Sequence, residues 1–429
     1  FDAVSNISEV ERELALFISK SSYQFQKILY KSACLDDSDF TDSRLLIYVD
    51  GKTGPAGNIM NSPWCQLLLS NPLLSVVHYT LKDDKWEVLT TRGISYWQRL
   101  KVAGYETIIY RLAVKLVKIL PDWIFTKELI MPNENELNIE IASSLALRGV
   151  KISEIQLDSV FGNNSNIFNI SISELHEIVL PIMRKRVEQW VVLPAVEATM
   201  SIFSSHLEKQ FKQFKQFIIA WEQALANNTK IKRAVLINAP GNIKGQALAY
   251  VCRKINVPLM SSQHGITVEI SKAHSTSHIL FDNSVANIMF SYNSKIKNIE
   301  KSTHFNNSKH YVVGMPMRLI RMKYNQSINQ SIPPIAYIST NLYHMGLSLS
   351  SKTDYRKARS EQKLILEVLS KLPHNVLYKT YPEDNRRYAD IDPVLKDIKE
   401  AKNIEIFSDK VDMRYLIYRH RIFVTTFAT

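Results

Sequence analysis

Short apolar runs closed by turn residues alternate with stretches of helical periodicity along most of the chain, and this alternation constrains the fold more than any one motif. Strand-like runs fall at residues 44–50, 74–79, 122–126 and 150–155. Helical spacing covers residues 9–31, 96–119 and 133–147, the last opening on Asn133 and Glu136 at capping-box spacing. A second series places strands at 234–238, 257–262, 288–292, 311–314, 335–339, 375–379, 404–407 and 422–426, with helices at 245–254, 360–372 and 411–418. Strands separated by helices imply a parallel sheet covered on both faces, so the chain is predicted to be α/β.

Between the two series, residues 173–227 are almost continuously helical in pattern, with Pro181 and Pro194 as predicted kinks. The expected division is 1–170 as an N-terminal Rossmann-like domain, 171–230 as a helical connector, and 231–429 as a C-terminal Rossmann-like domain. The polar segment 325–334 reads as a linker or crossing loop.

The 429 residues are 45% hydrophobic and 22% charged, which excludes a disordered or collagen-like chain. No apolar stretch reaches the roughly 20 residues that span a bilayer, so membrane contact is expected to be peripheral. Three cysteines are too few and too scattered for a disulfide framework or a Cys-rich zinc site, and the chain reads as cytoplasmic. Because it starts at Phe1 and stops just after an apolar run at Thr429, further chain is expected on both sides. The net charge of +12 suits an anionic partner or a merely soluble basic surface.

Three segments could carry chemistry. In residues 261–269 a strand runs into Gln263, His264 and Gly265, with Glu269 four residues later. Ligands of parallel α/β sheets bind beyond the carboxyl ends of strands, so His264 is well placed to meet a phosphate oxygen or to move a proton. A hydrogen-bonded loop histidine is the plain alternative. Gly265 would let the chain turn sharply and a ligand approach closely. Residues 376–384 end a strand in Lys379, Thr380, Tyr381 and Pro382, followed by Arg386 and Arg387, which add charge for a phosphate or carboxylate. Residues 422–429 end a strand in Thr425, Thr426 and Thr429, the kind of turn that precedes a phosphate-binding helix N-terminus.

Taken in this order, the three segments resemble the donor half of GT-B glycosyltransferases that build bacterial surface polysaccharides such as lipopolysaccharide and capsule. The resemblance covers residues 234–429 and is nearest to enzymes that use CMP-activated ulosonic acids such as Kdo. It implies two Rossmann-like domains facing across a cleft, 1–170 for the acceptor and 231–429 for the donor. The nucleotide sugar would be held by Gln263, Gly265, Lys379, Tyr381, Pro382, Arg387, Thr425, Thr426 and Thr429, with His264 and Glu269 near the reaction. It also implies that the Gln-His-Gly and Lys-Thr-Tyr-Pro turns face each other, and that the acceptor is a lipid-linked glycan met at the inner membrane. Asn238 stands where some retaining members carry a carboxylate nucleophile, a role an amide cannot fill.

Asp50, at a strand end beside a Gly-rich turn, is a candidate general base or acceptor-binding group, or simply an Asx-turn residue. Glu174 and Glu177 around His176 read as helix-start charges, and Asp282 with Asn283 as a turn. The 51–54 turn lacks the Walker A frame, His274 and His278 lack the Glu of a zinc helix, and Asp390 with Asp392 reads as a helix lead-in. No metal and no cofactor are therefore expected. Rival readings are a UDP- or GDP-sugar donor, a non-catalytic member of the same fold, and a nucleic-acid binder, whose best candidate surface is the Lys–Gln–Phe run at 209–217.

Overall fold

The computed structural model describes residues 17, 44–50, 75–81, 105–155, 157, 171–189, 193–226, 231–265, 282–300, 308–316, 333–339, 355–380, 398–407, 416 and 420–425. All three sheets among them are purely parallel. Two strands, β1 (Arg44–Asp50) and β2 (Ser75–Leu81), pair with each other. Next come α1 (Tyr105–Ile119), β3 (Lys127–Met131), α2 (Glu136–Ala146), β4 (Lys151–Glu154), α3 (Ile172–Val187) and α4 (Leu193–Leu225). They are followed by β5 (Lys232–Asn238), α5 (Ile243–Lys254), β6 (Leu259–Ser262), β7 (Ile288–Ser291), α6 (Lys295–Glu300) and β8 (Lys309–Val312). The last elements are β9 (Ile335–Ile338), α7 (Tyr355–Ser370), β10 (Val376–Lys379), β11 (Ile404–Phe407) and β12 (Ile422–Val424).

One sheet has the order β4-β3-β5-β6-β7-β8. From its own first strand this is 2-1-3-4-5-6, the flavodoxin-like winding, which reverses direction between β3 and β5. The other has the order β11-β10-β9-β12, or 3-2-1-4, the Rossmann winding, which reverses between β9 and β12. The α/β class with Rossmann-like sheets is as expected.

The strand pairing crosses the boundary expected at residues 170–231. β3 pairs with β5 in register from Lys127↔Lys232 to Ile130↔Val235, so 127–154 and 232–312 share one sheet. The compact units follow: one holds 1–25, 103–186 and 203–321, the other 26–102, 187–202 and 322–429. The helical stretch expected as a connector carries the chain from β4 back across β3 to that strand's other edge. Periodicity identifies an element but not its partner.

Helix α4, about 50 Å long at 1.5 Å per residue, buries Val196, Met200, Phe203, Leu207, Phe211, Phe214, Ile218, Trp221 and Leu225, one residue per turn on one face. Phe17 stacks on Phe214 with centroids 5.0 Å apart. Trp221 donates its indole N–H to the Lys244 carbonyl at 3.0 Å, tying α4 to α5. Phe211 and Phe214 thus point into the core and Phe217 is half-buried, so two of the three phenylalanines of the Lys–Gln–Phe run are not displayed to a nucleic acid. Pro181 lies inside α3, but Pro194 is in the first turn of α4, where its missing N–H has no helical partner to lose.

Three local expectations are corrected. Residues 122–124 form a 3-10 turn after Pro121 rather than a strand, and the strand begins at Lys127, with Leu129 and Met131 packed against α1 and α2. Helix α2 is capped by Asn135, whose Oδ1 accepts from the Asn138 N–H at 2.7 Å, and Asn133 is used elsewhere. Helix α5 starts two residues early because Asn242 caps it. In the second unit Ile335 and Tyr337 of β9 join one core cluster while Ala336 and Ile338 join another, so this sheet is apolar on both faces.

Candidate active site

The first unit gathers its polar side chains at the carboxyl ends of β3, β5 and β6, on either side of the winding reversal. There Asn133 acts as a short piece of backbone: its Oδ1 accepts from the Asn238 N–H at 2.7 Å and its Nδ2 donates to the Asn238 carbonyl at 2.8 Å. Asn135, besides capping α2, donates from Nδ2 to Ser262 Oγ at 3.0 Å and to the Gln263 carbonyl at 3.4 Å. Two asparagines after β3 therefore fix the ends of both β5 and β6.

After Asn238 the chain turns through Ala239, at φ 52°, a left-handed conformation that a residue with a Cβ adopts only under restraint. Asn242 then caps α5 by accepting from the Gly245 N–H at 2.8 Å. A Cβ at Gly245 would lie 2.1 Å from the Pro240 carbonyl oxygen, so only glycine lets this loop fold against the first turn of the helix. The first turn of α5 is thereby pressed against the loop that carries Asn238.

Asn238 and His264 meet across these strand ends, with Nδ2 3.0 Å from Nδ1. Asn238 is buried and His264 is exposed. The histidine's main chain is held by Asp282, which accepts the His264 N–H at Oδ2, 3.1 Å away, and whose carbonyl accepts the Ser261 hydroxyl. Gln263 is wholly buried: its Nε2 donates to the Gly265 carbonyl at 2.8 Å and its Oε1 accepts from the Tyr292 N–H at 2.8 Å. Gln263 shapes the loop from within rather than facing a ligand. Gly265 is not in the left-handed region, and a Cβ there would meet nothing within 4 Å, so the sharp turn expected of it is not what requires glycine.

The amide–imidazole pair sets the histidine's chemistry. With Nδ2 donating to Nδ1, a neutral ring carries its proton on Nε2, which can then donate to a phosphate or sugar oxygen. With the amide turned over, Nδ1–H donates to Oδ1 and Nε2 becomes a proton acceptor. Asn238 thus has a role that the missing-nucleophile reading did not assign to it. In the orientation observed, Asn238 Oδ1 is buried without a hydrogen-bond partner among the described residues.

In the second unit Lys379 closes β10 but is only 4% exposed. Its Nζ donates to the Thr380 carbonyl at 2.9 Å and lies 5.8 Å from the centre of the Phe407 ring. This differs from a lysine delivered to solvent at a strand end: the strand's final residue still points into the sheet's packed face. Ser339, after β9, and the exposed Thr425, after β12, border the winding reversal of this sheet. The two turns expected in one domain belong to different units, His264 to the first and Lys379 to the second.

Glu269, Tyr381, Pro382, Arg386, Arg387, Thr426 and Thr429 lie outside the described residues, as do His274, His278, Asp390 and Asp392. For Asp50 the strand alone is described. Asn133, Asn135 and Asp282 hold the candidate site in place, a part that sequence reasoning did not give them. The one available signal was the density of asparagines directly after the apolar run of β3. Glu174 does sit at a helix start, where its carboxylate accepts from the Ser171 N–H at 2.6 Å and the Ser171 hydroxyl caps the Glu174 N–H at 3.2 Å. Among the described residues no three His, Cys, Asp or Glu side chains cluster as metal ligands, and no helix is long and apolar enough to cross a membrane.

No known family profile matches the chain, and no curated protein is similar to it in sequence at a significant level. Among solved structures, UDP-GlcNAc 2-epimerase from Methanocaldococcus jannaschii in complex with UDP-GlcNAc and UDP aligns at TM-score 0.40 and 13% identity, over 70% of this chain and 78% of that one. UDP-N-acetylglucosamine 2-epimerase from Rickettsia bellii aligns at 0.38 and 11%, over 70% and 74%. A UDP-glucosyltransferase from Polygonum tinctorium aligns at 0.28 and 8%, over 89% and 75%. All three scores are below 0.5, so the fold stated for this chain rests on its own strand pairing: an α/β protein with a flavodoxin-wound parallel sheet in one unit and a Rossmann-wound parallel sheet in the other.

Proposed function

We propose that the chain is a glycosyltransferase that takes a sugar from a nucleotide-activated donor. The observation that carries this reading is the Asn238–His264 pair at the strand ends beside the winding reversal, an exposed imidazole held by a buried amide. With Asn238 Nδ2 donating to Nδ1, His264 donates from Nε2 and stabilises charge on the departing nucleotide phosphate. With the amide reversed it accepts the proton of the attacking hydroxyl. A sugar transfer to a hydroxyl needs both tasks and no redox chemistry.

The second unit contributes proposed donor-binding residues of its own. Thr425, Thr426 and Thr429 take a phosphate at the β12 turn, Arg387 and Tyr381 complete the anion site with Pro382 shaping it, and buried Lys379 adds positive potential from below. Glu269 and Asp50 are proposed to bind acceptor hydroxyls. The proposed acceptor is a lipid-linked glycan of a bacterial lipopolysaccharide or capsule type. UDP-sugars come first among donors to test, then CMP-ulosonic acids such as Kdo, then GDP-sugars. The transfer is proposed to need no metal ion.

The test is nucleotide release from a panel of UDP-, CMP- and GDP-sugars in the presence of a polyprenyl-linked acceptor, with and without a chelator. One donor is expected to release nucleotide, and His264→Ala is expected to lower that rate by about a hundredfold or more. Release from no donor, or an unchanged rate in the variant, contradicts the proposal.

A further inference from the structure

Helix α1 buries Ala113 and Val117 against β3, β4 and α2, which uses one side of it. A second apolar stripe on the same helix is exposed. Leu112, Leu116 and Ile119 are 50%, 61% and 80% exposed, and the stripe runs on at the helix's end into Trp123, at 84%. At about 100° per residue, Ile109, Leu112, Leu116 and Ile119 fall within one arc beside the buried face, and Arg111 and Lys115 fall on the arc beyond it. Both basic residues are exposed. Lys118, on the same side, pairs with Glu154, and Lys151 pairs with Asp122, so these two acids are already matched by lysines. Lys127, just past Trp123, is exposed as well.

We infer that this stripe lies on an anionic lipid surface, with α1 in the plane of the interface. A helix with an apolar flank, a basic border and an exposed tryptophan at its end has the composition of an interfacial helix rather than of a spanning one. The charge decides among occupants. Arg111, Lys115 and Lys127 edge the stripe and would face anionic headgroups, whereas a second copy laid on the stripe would bring the same basic border against itself. Such a face is what the lipid-linked acceptor of the proposed function needs, though the exposure and charge of α1 stand independently of that function. The face also stands apart from the site. The stripe ends at the amino edge of β3, whereas Asn133, Asn238 and His264 stand at the carboxyl edge of that sheet.

The experiment is co-sedimentation of the full chain with vesicles of phosphatidylcholine and of phosphatidylcholine mixed with phosphatidylglycerol, at low and high salt. Binding to the anionic vesicles is expected, weakening with salt. Two variants are expected to reduce it about tenfold or more: Leu116→Ser/Ile119→Ser/Trp123→Ser through the apolar stripe, and Arg111→Glu/Lys115→Glu through the basic border. Far-ultraviolet circular dichroism and the unfolding midpoint confirm that both variants are folded. Failure of the unaltered chain to bind anionic vesicles, or equal binding by the folded variants, overturns the inference. So does light scattering that shows a dimer dissociated by the triple variant, because the stripe is then a contact between copies. Nucleotide release in solution is expected to be unchanged in both variants, so loss of vesicle binding and loss of donor turnover are separate outcomes.

Discussion

At the scale of single residues, the account depends on which ring nitrogen of His264 holds the proton. Asn238 can donate or accept, so it permits either tautomer, whereas a carboxylate in its place could only accept. Asn238→Asp is therefore expected to lock the proton on Nδ1, and nitrogen-15 spectra of histidine-labelled protein should show the ring moving to that tautomer. If the tautomer is the same in both proteins, the 3.0 Å contact does not govern the ring. Two other histidines report on stability instead. Burial, reinforced by Lys209, holds His206 below its usual pKa, and burial with Lys297 does the same to His310. A histidine that is harder to protonate when folded contributes fully above its unfolded pKa, and the contribution is lost as pH falls through and below that value. Hydrogen bonds from the Ser171 backbone and hydroxyl lower the Glu174 pKa, so its contribution fades at lower pH, as the carboxylate protonates. Unfolding free energy should thus fall between about pH 7.5 and about pH 5, and His206→Gln should flatten part of that slope. An unchanged slope in the variant would show that His206 is not among its causes.

At the scale of elements, the loops after β3 and β5 are the parts most sensitive to small changes. Gly245→Ala places a methyl group 2.1 Å from the Pro240 carbonyl oxygen, and backbone cannot swing aside as a side chain can. A loss of about 1–3 kcal/mol in denaturant unfolding is expected, with the loop displaced from the α5 N-terminus. An unaltered unfolding curve would mean that the close approach is not present in solution. Asn135→Ala removes both the α2 cap and the bond to Ser262, so its cost should lie at the upper end of about 0.5–2 kcal/mol for a cap. It should also lower donor turnover by loosening the strand that carries His264, whereas Glu174→Ala, at a surface helix start, should leave turnover unchanged.

These loops also show where sequence reading stopped. The element types of α1, α2, β4, β5, α5 and β6 through β10 were legible from apolar periodicity, because a buried strand and an amphipathic helix leave different spacings. The strand expected at 122–126 was misplaced because Trp123 and Ile124 supply apolar character to a turn that buries neither. The contact between Asn133 and Asn238 spans 105 residues and has no periodic signature. His264 was legible as a candidate because Gly follows it at a strand end. Its partner, its backbone anchor on Asp282 and the burial of Gln263 were not.

At the scale of the whole molecule, the chain builds its two larger parallel sheets in an order that its linear division hides. Helices α3 and α4 occupy the expected helical stretch, but β5 after them pairs with the edge of β3 opposite β4, in the same sheet. Two winding reversals result, one beside Asn238 and His264 and one beside Thr425. Each lies where ligands of such sheets bind. The most direct measurement of the central claim is calorimetric titration of UDP, CMP and GDP into the unaltered chain, Asn238→Ala and His264→Ala. Binding of one nucleotide to the unaltered protein, weakened about tenfold or more in both folded variants, is the result this account predicts. No binding by any of the three nucleotides, or equal affinity in all three proteins, would contradict it.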